Sequence, residues 1–134
     1  MKKLTIIFSI ISTMAFAVVA SYNWYGCGKC GTTIQNSSTP SFGSCPKGNS
    51  HSWSSLGESG NKNYGCGKCG SIIQTQSSPS FGSCPKGSSH SWSSLGEVGN
   101  KNYSCGKCGG MVKTQSSPSF GSCPNGSSHS WSSL

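Results

Sequence analysis

A chain of 134 residues with ten lysines, two glutamates and neither arginine nor aspartate has a formal charge of +8. Its surface must be wetted mainly by serine, asparagine, threonine and glycine. Glu58 and Glu97 are its only acids, which argues against carboxylate acid–base catalysis, and a Ser-His-Asp triad cannot be built without aspartate.

In chain order, residues 1–20 carry the three parts of an export signal. Lys2 and Lys3 form the positive region, Leu4 to Ala17 is an uncharged apolar run, and Val18-Val19-Ala20 offers small residues before Ser21. The apolar run is short against the ~20 residues of a spanning helix. Cleavage before Ser21 and a secreted or periplasmic location are therefore expected, with no membrane span afterwards, in preference to an uncleaved anchor. Loss of Lys2 and Lys3 brings the charge to +6.

Beyond residue 20 the chain is a threefold repeat. Cys27, Cys30, Cys45 and His51 stand at C-x2-C-x14-C-x5-H. The pattern recurs 39 residues on at Cys66, Cys69, Cys84 and His90, and again at Cys105, Cys108, Cys123 and His129. These positions use all nine cysteines and all three histidines of the chain. The expected division is residues 21–56 for the first module, 64–95 for the second and 103–134 for the third. Gly57 to Asn63 and Gly96 to Asn102 are Gly- and Asn-rich, have no apolar periodicity, and read as flexible linkers. The chain ends at the leucine that closes each earlier copy, which agrees with that boundary.

Modules of about 30–40 residues cannot bury enough apolar surface to offset their ordering entropy, so each needs a staple. Three cysteines and one histidine form a complete four-ligand set of the kind structural zinc takes, which implies three Zn2+, one per module. Disulfides are the rival in an exported protein. They leave one cysteine over in each copy and do not explain the histidine. With all thiols ionised and three Zn2+ bound, the charge falls to about +3; together with the missing arginine, this weighs against nucleic acid as a partner.

The apolar positions that recur in every copy are expected to form a small core around each metal: Tyr25, Ile34, Phe42 and Trp53; Tyr64, Ile73, Phe81 and Trp92; Tyr103, Val112, Phe120 and Trp131. Leu95 is expected to join them in the second module. The alternative is that one aromatic per module is exposed for binding. Glycines in C-G-K-C-G permit a tight turn, and the segments between half-sites alternate weakly, so two metal-bearing turns on short β-strands are expected. No helical pattern is present after residue 20.

C-x-x-C-G followed by C-P-x-G-x-x-H resembles a zinc-ribbon, or rubredoxin-like, module in which two knuckles pinch one metal. The resemblance spans each module and implies a small metal-stapled β fold, with the Cys3His residues as ligands. A histidine stands where rubredoxins have a fourth cysteine, which favours zinc over an electron-transferring iron.

A closed four-ligand site suits structure rather than catalysis, so a non-enzymatic protein is expected. Three equal modules suit multivalent contact with a repetitive ligand such as a cell-envelope polymer or a surface protein. An extracytoplasmic zinc buffer or store is the alternative. A disulfide-stapled repeat and a CxxC redox protein are further ones, although the strand–helix alternation of thioredoxin-type proteins is missing.

Overall fold

The computed structural model describes residues 21–134, so the expected export signal lies outside the described residues. Among these residues the chain is all-β, with seven strands and no helix. They are β1 (Asn23–Cys27), β2 (Thr33–Asn36), β3 (Trp53–Cys66), β4 (Ile72–Thr75), β5 (Trp92–Cys105), β6 (Met111–Thr114) and β7 (Trp131–Ser133).

Each Cys3His unit contains a three-stranded antiparallel sheet. In the first, β1 is central, flanked by β2 and the first half of β3. In the second, the later half of β3 is central, between β4 and the start of β5. In the third, the later half of β5 lies between β6 and β7. One strand is thus the edge of one sheet and the centre of the next.

This corrects the expectation of flexible linkers. Gly57 to Asn63 and Gly96 to Asn102 lie within the 14-residue strands β3 and β5. Their glycines and asparagines carry no strand signal of their own. Backbone pairing on both sides holds them extended: Gly57 and Glu58 oppose Trp24 and Asn23 of the preceding strand, Asn63 opposes Gln74 and Gly96, and Asn102 opposes Lys113. Register shifts between Ser59 and Lys62 and between Val98 and Lys101 mark where each strand changes sheets. An irregularity of this kind locally increases strand twist and re-aims side chains.

Tyr25 faces Ile34 across the ladder, Tyr64 faces Ile73 and Tyr103 faces Val112, the aromatic–aliphatic pairing that stabilises neighbouring strands. Tyr25, Ile73 and Val112 are buried, while Ile34, Tyr64 and Tyr103 are half-buried. Phe42, Phe81 and Phe120 are not core residues: they are 64%, 68% and 69% exposed. Their backbones serve the fold instead, since Phe42 O, Phe81 O and Phe120 O accept hydrogen bonds from the N–H groups of His51, His90 and His129 at 2.8, 3.0 and 3.0 Å. Phe81→Ser is therefore expected to change unfolding free energy by no more than about 0.5 kcal/mol in a denaturant titration. A loss above about 2 kcal/mol would mean that the ring is buried after all.

The most completely buried large apolar residues are Leu56, Ile73 and Leu95. Leu56 and Leu95 sit where each module meets the next. A Cβ on Gly26 would lie 3.0 Å from Leu56 Cδ1, and one on Gly82 would lie 2.8 Å from Leu56 Cδ2 and 3.9 Å from His90 Cδ2. Leu95 is held likewise between Gly65 and the Gly121–His129 corner. Each leucine therefore packs beside the ligand histidine of the following module as well as against its own sheet.

Candidate metal centres

The first half-site is a turn closing β1, β3 or β5. Gly31 N–H donates to Cys27 O at 2.9 Å, and the glycine adopts φ 79°. Gly70 and Gly109 repeat this at φ 80° and 72°, in the left-handed region that a Cβ disfavours. The second half-site is a tighter loop, with Gly48 N–H donating to Cys45 O at 3.1 Å.

These turns bring Cys27, Cys30, Cys45 and His51 together, and likewise Cys66, Cys69, Cys84 and His90, and Cys105, Cys108, Cys123 and His129. Within each group all ligand atoms lie within 4.8 Å of one another. Cys27 Sγ and Cys45 Sγ are 4.0 Å apart, and Cys30 Sγ is 3.5 Å from His51 Nδ1. The same sulfur–Nδ1 distance recurs at Cys69–His90 and Cys108–His129. Tetrahedral coordination with metal–sulfur bonds of about 2.3 Å places ligand atoms roughly 3.7 Å apart, so the donors fit a single ion. All nine cysteines are free thiols.

The surroundings suit a negatively charged sulfur cluster. Ser52, Ser91 and Ser130 donate backbone N–H groups to Cys27 Sγ, Cys66 Sγ and Cys105 Sγ at 3.4 Å. Burial alone would raise the Cys27 thiol, but N–H groups of Cys30 and Ser52, with His51, outweigh it and lower its pKa to about 6. Cys105 is lowered to about 5 by the same balance, with Ser130 and Cys108 supplying the main N–H groups. In the middle site the hydrogen bond between Cys69 and Cys66 divides the pair. It lowers Cys66 to about 3 and raises Cys69. Burial also raises Cys45, and lifts Cys108 to about 11.

The tryptophans belong to the centres. Trp53, Trp92 and Trp131 are half-buried and stack on His51, His90 and His129 with centroids 4.6 Å apart. Their indole N–H groups donate to Ser41 O, Ser80 O and Ser119 O at 3.0, 2.9 and 2.9 Å, tying down the loop that precedes the third cysteine. The knuckle lysines are also occupied: Lys29, Lys68 and Lys107 donate to Ser50 O, Ser89 O and Ser128 O at 2.8 Å. They join the two half-sites mechanically as well as placing positive charge beside the thiolates.

The contribution of Leu56 and Leu95 to the next module's centre was not read from the sequence. Its signal was the invariant leucine followed, 26 residues later, by an invariant glycine at Gly82 and Gly121. Nε2 of His90 and of His129 is buried without a hydrogen-bond partner, on the side of the ring away from the sulfurs. A ring whose Nδ1 takes a metal must carry its proton at that Nε2. In many metal centres a carboxylate or carbonyl receives this proton, whereas here leucine packs nearby.

Compared with known proteins, the chain matches no family model, no curated protein and no solved structure, so its functional reading rests on its own residues.

Proposed function

We propose that this is an exported, non-enzymatic zinc-binding repeat protein, with one structural Zn2+ in each Cys3His centre and three fused modules that together engage a repetitive ligand. The observation that carries the reading is the triple recurrence of a four-donor cluster, three sulfurs and one imidazole nitrogen, within one 4.8 Å limit. Zinc suits that mixed set and needs no fifth protein ligand. With four protein donors, the centre is closed and offers structure rather than catalysis.

Two features favour a binding array over a zinc buffer. One exposed phenylalanine recurs on every module, at Phe42, Phe81 and Phe120. A groove of about 410 Å³ also crosses all three modules, with Trp24 and Gln35 from the first, Ile72 and Gln74 from the second, and Met111 and Lys113 from the third. An aromatic ring among amides offers stacking and hydrogen bonds to a linear polymer, and fused modules hold those contacts at fixed spacing. A cell-envelope polymer or a surface protein fits this description.

Native mass spectrometry of the purified protein tests the metal. The expected mass includes three zinc ions, with no loss of hydrogens to disulfides. A folded, metal-free protein with bridged sulfurs would overturn the reading. Slow, tight release to a competing chelator is expected of structural sites, whereas rapid exchange from all three would favour the buffer.

A further inference from the structure

The two junctions inside the chain repeat one another contact for contact. Leu56 packs beside Gly82 and His90, and Leu95 beside Gly121 and His129. Ser80 N–H donates to Leu56 O at 2.8 Å, and Ser119 N–H to Leu95 O at 3.1 Å. The knuckles also meet. A Cβ on Gly28 or Gly67 would lie 2.5 Å from Cβ of Ser83 or Ser122, and one on Gly31 or Gly70 would lie 3.0 or 3.2 Å from Pro85 or Pro124. At the sheet end, Trp24 Nε1 donates to Gln74 O, and Asn63 Nδ2 donates to Lys113 O, at 2.6 and 3.0 Å.

Each junction has a leading half and a receiving half, and the two outer modules show one half each. The second module leads with Asn63, Gly67, Gly70 and Leu95. The same residue types stand on the third module as Asn102, Gly106, Gly109 and Leu134, all exposed. Leu134 is 73% exposed where Leu56 and Leu95 are 0%, and nothing lies within 4 Å of a Cβ on Gly106 or Gly109. The receiving half, Gly82, Ser83, Pro85 and His90, has its counterpart on the first module as Gly43, Ser44, Pro46 and His51. Among the described residues this face is uncovered. Gly43 and Pro46 are exposed where Gly82 and Pro85 are half-buried, and His51 is half-buried where His90 and His129 are buried.

We propose that the third module of one copy docks on the first module of a second copy, repeating the internal junction between chains and building head-to-tail arrays. The occupant is a second copy because the two uncovered faces are the halves of an interface that the chain already makes twice. In repeat register Leu134 matches Leu56 and Ser21 matches Gly60, so the described residues of successive copies abut without overlapping. The contact is heterologous: it uses different surfaces on the two partners and leaves a leading and a receiving face free at the ends. Inside the chain the junction forms at an effective concentration on the order of millimolar or higher. Between chains the same contacts depend on protein concentration.

Light scattering coupled to size exclusion tests this with the metal-loaded protein and with variants of each face. The expected result is a mass that rises with concentration through multiples of the monomer. Gly106→Leu meets open space in one chain but a Ser44 side chain across the proposed contact, and Leu134→Asp removes the plug. Each should weaken association by about tenfold or more, while native mass spectrometry shows all three metals retained. The decisive mixture pairs Gly106→Leu with Ser44→Trp, which blocks the receiving face. Each alone is expected to stay monomeric, and together they should form a one-to-one dimer and nothing larger. A wild-type protein that stays monomeric up to about millimolar concentration, or association that survives both Gly106→Leu and Leu134→Asp, would overturn the proposal. So would a mixture that fails to pair. Because metal content is read separately, failure here is distinguishable from failure of the zinc reading.

Discussion

Removal of the metal is expected to unfold all three modules. Outside cysteine, proline and glycine, the buried apolar residues are only Tyr25, Leu56, Ile73, Leu95 and Val112 among the described residues. Full burial of such a side chain contributes about 1.5–3 kcal/mol, against about 1–2 kcal/mol of backbone entropy for every ordered residue. Structural zinc in small domains binds with an apparent free energy of about 10–16 kcal/mol, and that binding is itself the folding term. A strong chelator under reducing conditions should therefore abolish the near-ultraviolet circular dichroism of the tryptophans stacked on His51, His90 and His129. Zinc should restore it.

Acid should act in the same direction, because metal and protons compete for the sulfurs. Cys27 and Cys105, lowered to about 6 and about 5, reach the metal largely as thiolates at neutral pH. Cys45 and Cys108 are raised and release protons on binding, so affinity falls as pH falls. For any fraction of the chain that stays folded without metal, the sign is the same for the lowered thiols. Their contribution to stability is present above the ordinary value of 9.0 and is lost as pH falls through about 6 for Cys27 and about 5 for Cys105. Cys108 has the opposite sign, its contribution lasting below 9.0 and disappearing as pH rises through about 11. Unchanged dichroism after the metal is gone would contradict the dependence on metal.

Leu56→Ala is expected to cost about 2–5 kcal/mol of stability, the range for emptying a fully buried leucine site. Its distinctive effect falls on a centre to which Leu56 contributes no ligand. The alanine opens the side of His90 that Leu56 covers, so metal in the middle site should exchange fastest, while the third site, whose corner is filled by Leu95 and not by Leu56, changes least. Isotopically labelled zinc followed by native mass spectrometry would count the ions exchanged, and His90→Ala in the same background would identify the site. Leu134→Ala serves as the control and should alter stability by about 0.5 kcal/mol or less at low protein concentration, because that side chain is exposed. Equal exchange from all sites in Leu56→Ala would mean that the modules are not coupled through this leucine.

This coupling separates the structure from the expectation of three modules on flexible linkers. Gly57 to Asn63 is polar and glycine-rich, and nothing within it marks a strand. Its partners are Trp24 and Asn23 of the preceding module and Thr75, Gln74, Gly96 and Glu97 further along the chain. Phe42, Phe81 and Phe120 failed as core residues for a related reason. Hydropathy says that an aromatic ring gains by burial, but the loop commits its backbone to His51, His90 and His129 and leaves the ring outside. Trp53, Trp92 and Trp131 were expected in the core and are half-buried, with one face against the histidine ring and the indole N–H on a loop carbonyl.

The grouping of sulfurs and imidazoles was legible in the chain by itself, because C-x2-C and C-x5-H are short-range turns whose reach is fixed by bond lengths and the glycines between them. Which leucine covers which histidine, and whether glycine-rich segments hang loose or run as strand, was settled only by the tertiary fold. Those outcomes depend on pairing and packing between residues tens of positions apart, and the free energy of an extended backbone is set there by the neighbour it meets rather than by its own side chains.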